Sequence, residues 1–380
     1  MRSSTGAYFP ALDHVRALAI YVVFVYHFMH AHQIVPVTGY APDWPPFSVF
    51  KEGQTGVSLF MVLSGYMFQK LLGGQRLRYG QFLLNRALRL APLLLLVMAL
   101  TGIKNHLAGN LDAYGRDLLL GFLAPTWPNG AWSVTVELHF YLLMPLLLAL
   151  VRAPRAFWLM ALAAPVLMRL ALYLEHPVIT NLSNFTLIGH IDHFIIGMMS
   201  ARVAALATGR HKAFMAATVA YLAYFWYHDH LDAAVGSLKP ESLWIYHALI
   251  EGLYYGFAIA WYDQSFRHVP GRVSRLVASY GQYSYSIYLL HSFFVFKTAE
   301  YIDRFVLPLN NFYLCCLVAS LCFAACWPLG YLSHRFVEQP FLRLRKTYLR
   351  PAAPEPLLPA TPSPADTNDA LDDAKSLRRA

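Results

Sequence analysis

The chain has 380 residues, of which 57% are hydrophobic and only 13% are charged. Soluble globular domains carry about 25% charged residues, so this composition excludes an ordinary soluble protein and predicts an integral membrane protein. The formal net charge of +9 does not indicate nucleic-acid binding, because the basic residues are scattered between apolar segments.

Hydrophobic windows near the length of a membrane-spanning helix, about 20 residues, recur along the chain. They predict an all-α polytopic membrane bundle of about ten transmembrane helices. The windows lie at 15–34, 54–72, 86–103, 132–151, 156–174, 187–207, 212–228, 243–262, 283–300 and 312–334. A shorter interfacial helix is predicted near 113–124, and the proline-rich loop 35–52 is expected to be rigid.

Basic residues alternate between the loops in the way that the positive-inside rule requires. If the N-terminus is cytoplasmic, the loops on the inner side of the membrane are residues 70–89, 152–155, 210–212, 267–275 and the segment after residue 334. All of these segments are rich in Lys and Arg. Both termini are therefore predicted to be cytoplasmic. Residues 1–350 form the predicted transmembrane domain, and the tail 351–380, rich in Pro, Ala and Asp, is predicted to be disordered.

The first window contains two ionisable residues, Arg16 and His27, about 16 Å apart on one helical face. Such residues are costly inside a membrane and indicate a functional site facing the bundle interior. His27 can act as a general base toward a hydroxyl group. The alternative is a structural histidine that hydrogen-bonds between helices.

A second basic pair, Arg86 and Arg89, begins the third window and shares one helical face. With Arg16 at the same predicted depth, the pair could hold a phosphate or pyrophosphate by bidentate contacts. Alone, it could equally be a topology anchor at the cytoplasmic end of the helix.

The fourth window places Glu137 inside the membrane, with Tyr141 one turn further on the same face. Glu137 could orient His27 or an acceptor hydroxyl, or it could form a buried structural pair. Trp132, at the start of this window, is either an interfacial anchor or a platform on which a sugar stacks.

Small residues in GVSLFMVLSGY, residues 56–66, predict close helix packing, and Ser64 among them is a candidate supporting residue. The ninth window carries a polar stripe formed by Ser284, Tyr288 and His291. Tyr288 and His291 are candidates for acceptor binding or support.

No metal site is predicted. His190 and His193 share a face, but a pair without a clear third ligand is weak support for a metal, and hydrogen bonding between helices is the preferred interpretation. The four cysteines all fall within 315–326 and are interpreted as small buried side chains rather than disulfides.

Together these motifs resemble the membrane-bound acyltransferase 3 family, the O-acyltransferases that modify bacterial surface glycans. The resemblance covers about residues 8–345 and carries six motifs in order. They are LDHVRALAIYVVFVYH with Arg16 and His27, GVSLFMVLSGY, the pair Arg86 and Arg89, WSVTVELHFY, YSYSIYLLH with His291, and VEQP with Glu338.

The resemblance implies a cytoplasmic acyl-CoA donor, an acceptor hydroxyl on the outer side, and a place in the bacterial cytoplasmic membrane, among its lipids. Acyl-CoA is then a co-substrate, with acetyl as the expected group, and no permanently bound cofactor is expected. Arg16, Arg86 and Arg89 would bind coenzyme A phosphates, His27 would be the general base, and Glu137 would orient it.

Two other classes of function stay open at this stage. A transporter or flippase for a lipid-linked or anionic sugar could use the same charged residues along a translocation path, although no internal repeat is visible. A receptor-like binding protein is a third reading. Release of free coenzyme A separates an enzyme from both.

Overall fold

The computed structural model describes residues 8–31, 41–73, 75–235, 241–268 and 271–350, with the side chains of 231–235 excepted. The fold is all-α. Its helices are α1 (Pro10–Met29), α2 (Ser48–Lys51), α3 (Thr55–Leu72), α4 (Tyr79–Leu107), α5 (Leu111–Leu120), α6 (Trp132–Arg152), α7 (Ala156–Glu175), α8 (Thr180–Phe185), α9 (Leu187–Arg202), α10 (His211–Val235), α11 (His247–Ser265), α12 (Arg272–Gln282), α13 (Ser284–Leu290), α14 (Val295–Phe305), α15 (Phe312–Ala325), α16 (Trp327–Ser333) and α17 (Gln339–Leu342).

Five helical runs in the described part of the chain are long and apolar enough to cross a membrane. They are Pro10–Met29, Tyr79–Leu107, Trp132–Arg152, Ala156–Glu175 and the nearly continuous run Phe312–Leu342. These runs agree with five of the ten predicted windows. The full count of ten spans and the cytoplasmic position of both termini stay predictions, and the tail 351–380 lies outside the described residues.

Helix α1 is enclosed by its neighbours, which include α3, α12 and α15. Its side chains Ile20, Val23, Val25 and Phe28 are fully buried. A helix that is apolar on all sides belongs in the interior of a bundle, and this one carries Arg16 and His27 there. The polar residues of α1 are therefore surrounded by protein.

Helices α3 and α9 approach so closely that their backbones are in contact. A Cβ atom at Gly65 would overlap the Phe194 carbonyl oxygen, and one at Gly197 would overlap the Val62 carbonyl oxygen. Small residues permit this approach in membrane bundles. The packing role predicted for the small residues of 56–66 is confirmed here.

Replacing Gly197 with Val should destabilise the bundle, by roughly 1–3 kcal/mol or more, because the added side chain must push α3 and α9 apart. The matched control is Gly80→Ala, since a Cβ atom at Gly80 meets nothing within 4 Å. Thermal unfolding in detergent measures both variants. A Gly197→Val protein as stable as the control would contradict this packing.

The ninth window forms two helices rather than one. Helix α13 ends at Leu290, a single 3₁₀ turn covers His291–Phe293, and α14 begins at Val295. The His291 Nδ1 atom bonds the Tyr288 carbonyl oxygen at 2.5 Å, so the side chain competes with the backbone for that acceptor. The break places His291 at the end of α13, with its ring inside the bundle.

One further helix was not predicted. Helix α12 lies outside every hydrophobic window because it is amphipathic and polar on one side, yet it packs against α1, with Gly281 beside the Asp13 carbonyl oxygen. The interfacial helix expected near 113–124 is α5, which ends at Leu120.

After the last helix, the chain turns back to the start of α4. Strands β1 (Arg76–Leu77) and β2 (Leu349–Arg350) pair antiparallel. The Asn85 side chain donates to the Lys346 carbonyl oxygen at 2.6 Å and accepts from the Lys346 N–H at 3.2 Å. This fixes residues 343–350 beside the first turns of α4.

Candidate active site

A cavity lies between α1, α3, α4, α6 and α13, and we call it the arginine cavity. It encloses about 690 Å³, including the part that opens to solvent. Its walls include Arg16, Ser64, Met67, Arg89, Ser133, Glu137, Ser284 and Tyr288. On α3 it extends from Val57 to Met67, which is about 15 Å along the helix axis. Five of the predicted site residues therefore share one space: Arg16, Ser64, Arg89, Glu137 and Tyr288.

Arg16 is held by its own helix. Its Nη1 atom donates to Asp13 Oδ1 at 2.5 Å, and its Nη2 atom contacts Met67 Sδ at 2.7 Å. Asp13 is 1% exposed, so this is a buried ion pair one turn apart. Part of the Arg16 charge is compensated within the protein, which the sequence analysis had not considered.

Arg16 and Arg89 line the cavity, and the charge of Arg89 is less compensated by carboxylates than that of Arg16. Within the described residues, none of Arg86, Arg89 and Arg345 forms an ion pair with a carboxylate. Arginines without a carboxylate partner, as Arg89 and Arg345 are, favour an anionic ligand.

Arg86 faces away from the cavity, into a cage of aromatic rings. Its Cζ atom lies 4.9 Å from the Phe68 ring centroid, 5.5 Å from Phe82, 5.9 Å from Tyr141 and 6.0 Å from Tyr348. It is 5% exposed. These cation–π contacts fix the side chain, so the structure separates Arg86 from Arg89 and gives it a packing role.

Arg345 adds a third guanidinium to this end of the bundle. Burial, together with the charges of Arg89 and Arg86, lowers the pKa of Arg345 to about 10. It still carries its charge at neutral pH. The turn after α17 and the β1–β2 pair bring it there from the far end of the chain. In the sequence, Arg345 is only one of the basic residues that mark the predicted cytoplasmic side.

Glu137 accepts a short hydrogen bond from the Tyr141 hydroxyl, its neighbour one turn along α6. It also lines the arginine cavity. No hydrogen bond joins Glu137 to His27 in the part of the chain that the structure describes. The predicted contact between these two residues is therefore not made in this conformation.

His27 and His291 form a pair of rings whose centroids are 4.8 Å apart. His27 Nδ1 bonds the Val23 carbonyl oxygen at 2.9 Å. A carbonyl only accepts, so in a neutral ring Nδ1 carries the proton and Nε2 keeps its lone pair. The same argument applies to His291, whose Nδ1 bonds the Tyr288 carbonyl oxygen and whose Nε2 is buried without a partner.

Tyr288 joins this pair to the arginine cavity. Its ring centroid is 5.9 Å from that of His291, and its hydroxyl donates to the Gly130 carbonyl oxygen at 2.9 Å. Tyr288 lines the cavity, whereas His27 lies beyond Tyr288 and His291 and does not form part of the wall. His291 is thus separated from the cavity by the ring of Tyr288, and His27 by the rings of Tyr288 and His291.

The motif residue Glu338 is structural. It is 1% exposed, accepts a short hydrogen bond from Ser286 and lies 3.4 Å from His334. It therefore ties the motif YSYSIYLLH to the last helical run, where a π turn spans His334–Glu338. This contact holds α13, and with it Tyr288 and His291, in place.

Trp132 belongs to a different space. Its indole stacks on His190 with the ring centroids 5.7 Å apart and meets Phe185 edge-on at 5.1 Å. Together with His190, His193, His247 and Glu251, it lines a second cavity, which we call the histidine cavity.

The four cysteines, all described, are free, and three of them are buried.

Comparison with known proteins places this arrangement in context. Residues 9–331 match the family of acyltransferase domains known as acyltransferase 3. The chain belongs to the acyltransferase 3 family. A curated relative, the peptidoglycan O-acetyltransferase OatA of Listeria monocytogenes, is 27% identical over 164 residues, which is 36% of this chain and 24% of that protein. No solved structure matches the chain.

Proposed function

We propose that this chain is an integral-membrane O-acyltransferase that moves an acyl group from acyl-CoA to a hydroxyl of an extracytoplasmic carbohydrate. The observation that carries the proposal is the arginine cavity, which has Arg89 at one end and Tyr288, next to the imidazole pair, toward the other. Membership of an acyltransferase family supports the same reaction.

The donor binds at the arginine end in this proposal. Arg89 and Arg345 hold the phosphates of coenzyme A through charge-assisted hydrogen bonds, and Arg16 contributes what its ion pair with Asp13 leaves available. Arg86 supports Arg89 from the aromatic cage. The positive-inside rule predicts that this end faces the cytoplasm, where acyl-CoA is made.

Transfer takes place beside the two imidazoles. His27 Nε2 removes the proton from the acceptor hydroxyl while that oxygen attacks the thioester carbonyl. The resulting tetrahedral intermediate releases the coenzyme A thiolate, which takes the proton from His27. His291, whose ring lies beside that of Tyr288, is a second candidate base. Glu137 accepts hydrogen bonds from the amide groups of the donor. Reorientation of Tyr288 or His291 would open His27 to the cavity.

Direct transfer needs no covalent intermediate, but Ser64 or His27 could carry the acyl group for part of the reaction. Acetyl is the proposed group, the bacterial cytoplasmic membrane the proposed location, and a surface polysaccharide the proposed acceptor. NMR of that polysaccharide from cells with and without the gene identifies the hydroxyl.

Release of coenzyme A thiol decides between enzyme and carrier. We expect the purified protein to release thiol from acetyl-CoA in proportion to the acceptor that becomes acylated. Absorbance of a thiol reagent and incorporation of radiolabelled acetyl measure the two quantities. A flippase would move the glycan across vesicles without thiol release, and that result would refute the proposal.

Arg345→Ala should raise the KM for acetyl-CoA about 3- to 10-fold, because a hydrogen bond at this half-exposed position contributes about 0.5–1.5 kcal/mol. Stability should change little, since Arg345 is only half-buried and its side-chain contact is a 3.2 Å bond to the Leu342 carbonyl oxygen. Arg343→Ala, an exposed neighbour, is the control. An unchanged KM for acetyl-CoA would remove Arg345 from the donor site.

A further inference from the structure

The histidine cavity lies directly behind the wall of the arginine cavity. Consecutive residues of α3 face the two spaces, Val57 toward the arginine cavity and Ser58 toward the histidine cavity. The same is true of Ser133 and Trp132 at the start of α6. A ligand in one cavity is therefore separated from a ligand in the other by little more than one helical wall.

A chain of buried polar groups crosses the histidine cavity. His190 Nε2 donates to the Asn184 carbonyl oxygen at 2.9 Å, which leaves His190 Nδ1 as an acceptor. That atom lies 3.3 Å from His193 Nδ1, so His193 is the donor between the two rings. His193 Nε2 then faces Glu251 Oε2 at 3.5 Å, and this contact ends the chain.

Ser183 Oγ, on a lining residue that is 7% exposed, is buried and forms no hydrogen bond to any residue that the structure describes. An unsatisfied buried polar group costs about 1–3 kcal/mol, which a ligand able to donate and accept hydrogen bonds recovers. Hydroxyl groups do both.

Glu251 is already engaged and fixes the cavity wall. It accepts hydrogen bonds from Thr55 and, at 2.7 Å, from Ser58, and it lies 3.6 Å from His247 Nε2. The lining also holds Gln54, Trp132 and Trp244. Amides and indoles are the groups that bind the hydroxyls and the apolar faces of sugar rings.

The charges of the two cavities differ. Arginines line the first, whereas the ionisable residues lining the second, among those the structure describes, are carboxylates and histidines. A phosphate or uronate placed there would lose its hydration next to Glu251, and the two histidines nearest that carboxylate, His193 and His247, already lie against it at 3.5 and 3.6 Å. A neutral ligand carries no such cost.

We infer that the histidine cavity binds a sugar residue of the acceptor next to the one that is acylated, and that it takes an uncharged, hydroxyl-rich residue in preference to an anionic one. This inference rests on the proposed function. It adds the position of the acceptor and its charge, and it assigns Ser183 and Gln54 as residues that bind the acceptor.

The first test compares two acceptor pools. Surface polysaccharide from the organism that produces this protein is partly hydrolysed. The fragments are then separated by anion exchange into neutral and anionic pools. With radiolabelled acetyl-CoA, the purified protein should label the neutral pool at least tenfold more than the anionic pool at equal concentration. Equal labelling, or preference for the anionic pool, overturns the inference. Absence of label and of thiol release with both pools would instead refute the proposed function.

The second test uses Ser183→Ala and Gln54→Ala with the neutral pool. Each variant should raise the KM for the acceptor about 3- to 10-fold while the KM for acetyl-CoA stays unchanged. Thermal stability of Ser183→Ala should be equal or higher, because the lost hydroxyl has no partner. A structural role would lower stability instead.

The control for these variants is Thr186→Val. Its hydroxyl, on the segment between α8 and α9, bonds the Leu182 carbonyl oxygen at 2.6 Å and lies outside the cavity lining. Its acceptor KM should equal that of the wild type. If Ser183→Ala and Gln54→Ala behave like this control while transfer continues, the acceptor binds elsewhere.

Discussion

Replacing His27 with Ala should reduce acyl transfer at least about 100-fold, because a positioned general base contributes about 10²- to 10⁴-fold to a rate. The protein should still fold, since among the described residues the His27 ring hydrogen-bonds only locally, to Val23 on the same helix. Initial rates of thiol release with acceptor present measure the effect.

His30→Ala is the matched control for this variant. His30 makes the same type of bond one turn later, from Nδ1 to the Tyr26 carbonyl oxygen at 2.7 Å, but its ring lies against that of Tyr26, with the centroids 4.0 Å apart, and not against His291. Its rate should stay within a few-fold of the wild type. Equal rates for His27→Ala and the wild type would exclude His27 as the base, and attention would pass to His291.

Replacing Arg89 with Ala should raise the KM for acetyl-CoA at least about tenfold, because a charge-assisted hydrogen bond contributes about 1.5–3 kcal/mol. The effect should disappear with acetyl-N-acetylcysteamine, a thioester donor that has no phosphate. Steady-state kinetics with both donors distinguish phosphate binding from a general loss of activity.

Arg155→Ala, an exposed arginine beyond the end of α6, is the control and should leave both KM values unchanged. A loss in Arg89→Ala that is equally large with the phosphate-free donor would show that Arg89 acts on the thioester or on the fold. Arg86→Ala should differ from both, since emptying the aromatic cage lowers stability before it affects donor binding.

Hydrophobic windows were sufficient to locate the long helices, because each of these helices carries a long run of apolar side chains. Helix α12 escaped this criterion, since its polar face lowers the mean hydropathy although its other face covers α1. The break after α13 was also hidden, because the sequence stays largely apolar on both sides of it.

The site was predictable where a costly charge lies inside an apolar helix. That criterion found Arg16, Arg89 and Glu137, which the structure brings to one cavity. It also applies to Glu251, which lies four residues after His247 in an apolar stretch, and which the sequence analysis overlooked. Pairings were harder to predict than positions, as the Asp13–Arg16 ion pair and the Glu137–Tyr141 bond show.

Arg345 could not be found by any local pattern. Its position beside Arg86 and Arg89 depends on the β1–β2 pair and on Asn85, contacts between residues some 260 apart in the chain. The cage around Arg86 depends on the same return, because Tyr348 supplies one of its rings. Long-range contacts of this kind are visible only in the folded chain.

The most direct test of the account uses sealed vesicles in which a tag after residue 380 marks the side of the C-terminus. Radiolabelled acetyl-CoA is supplied on that side only, and the neutral polysaccharide fragments on the other. We expect label on the fragments and thiol on the donor side in equal amounts, and neither above background with His27→Ala. Labelling that requires donor and acceptor on the same side, or that proceeds undiminished in His27→Ala, would contradict the account.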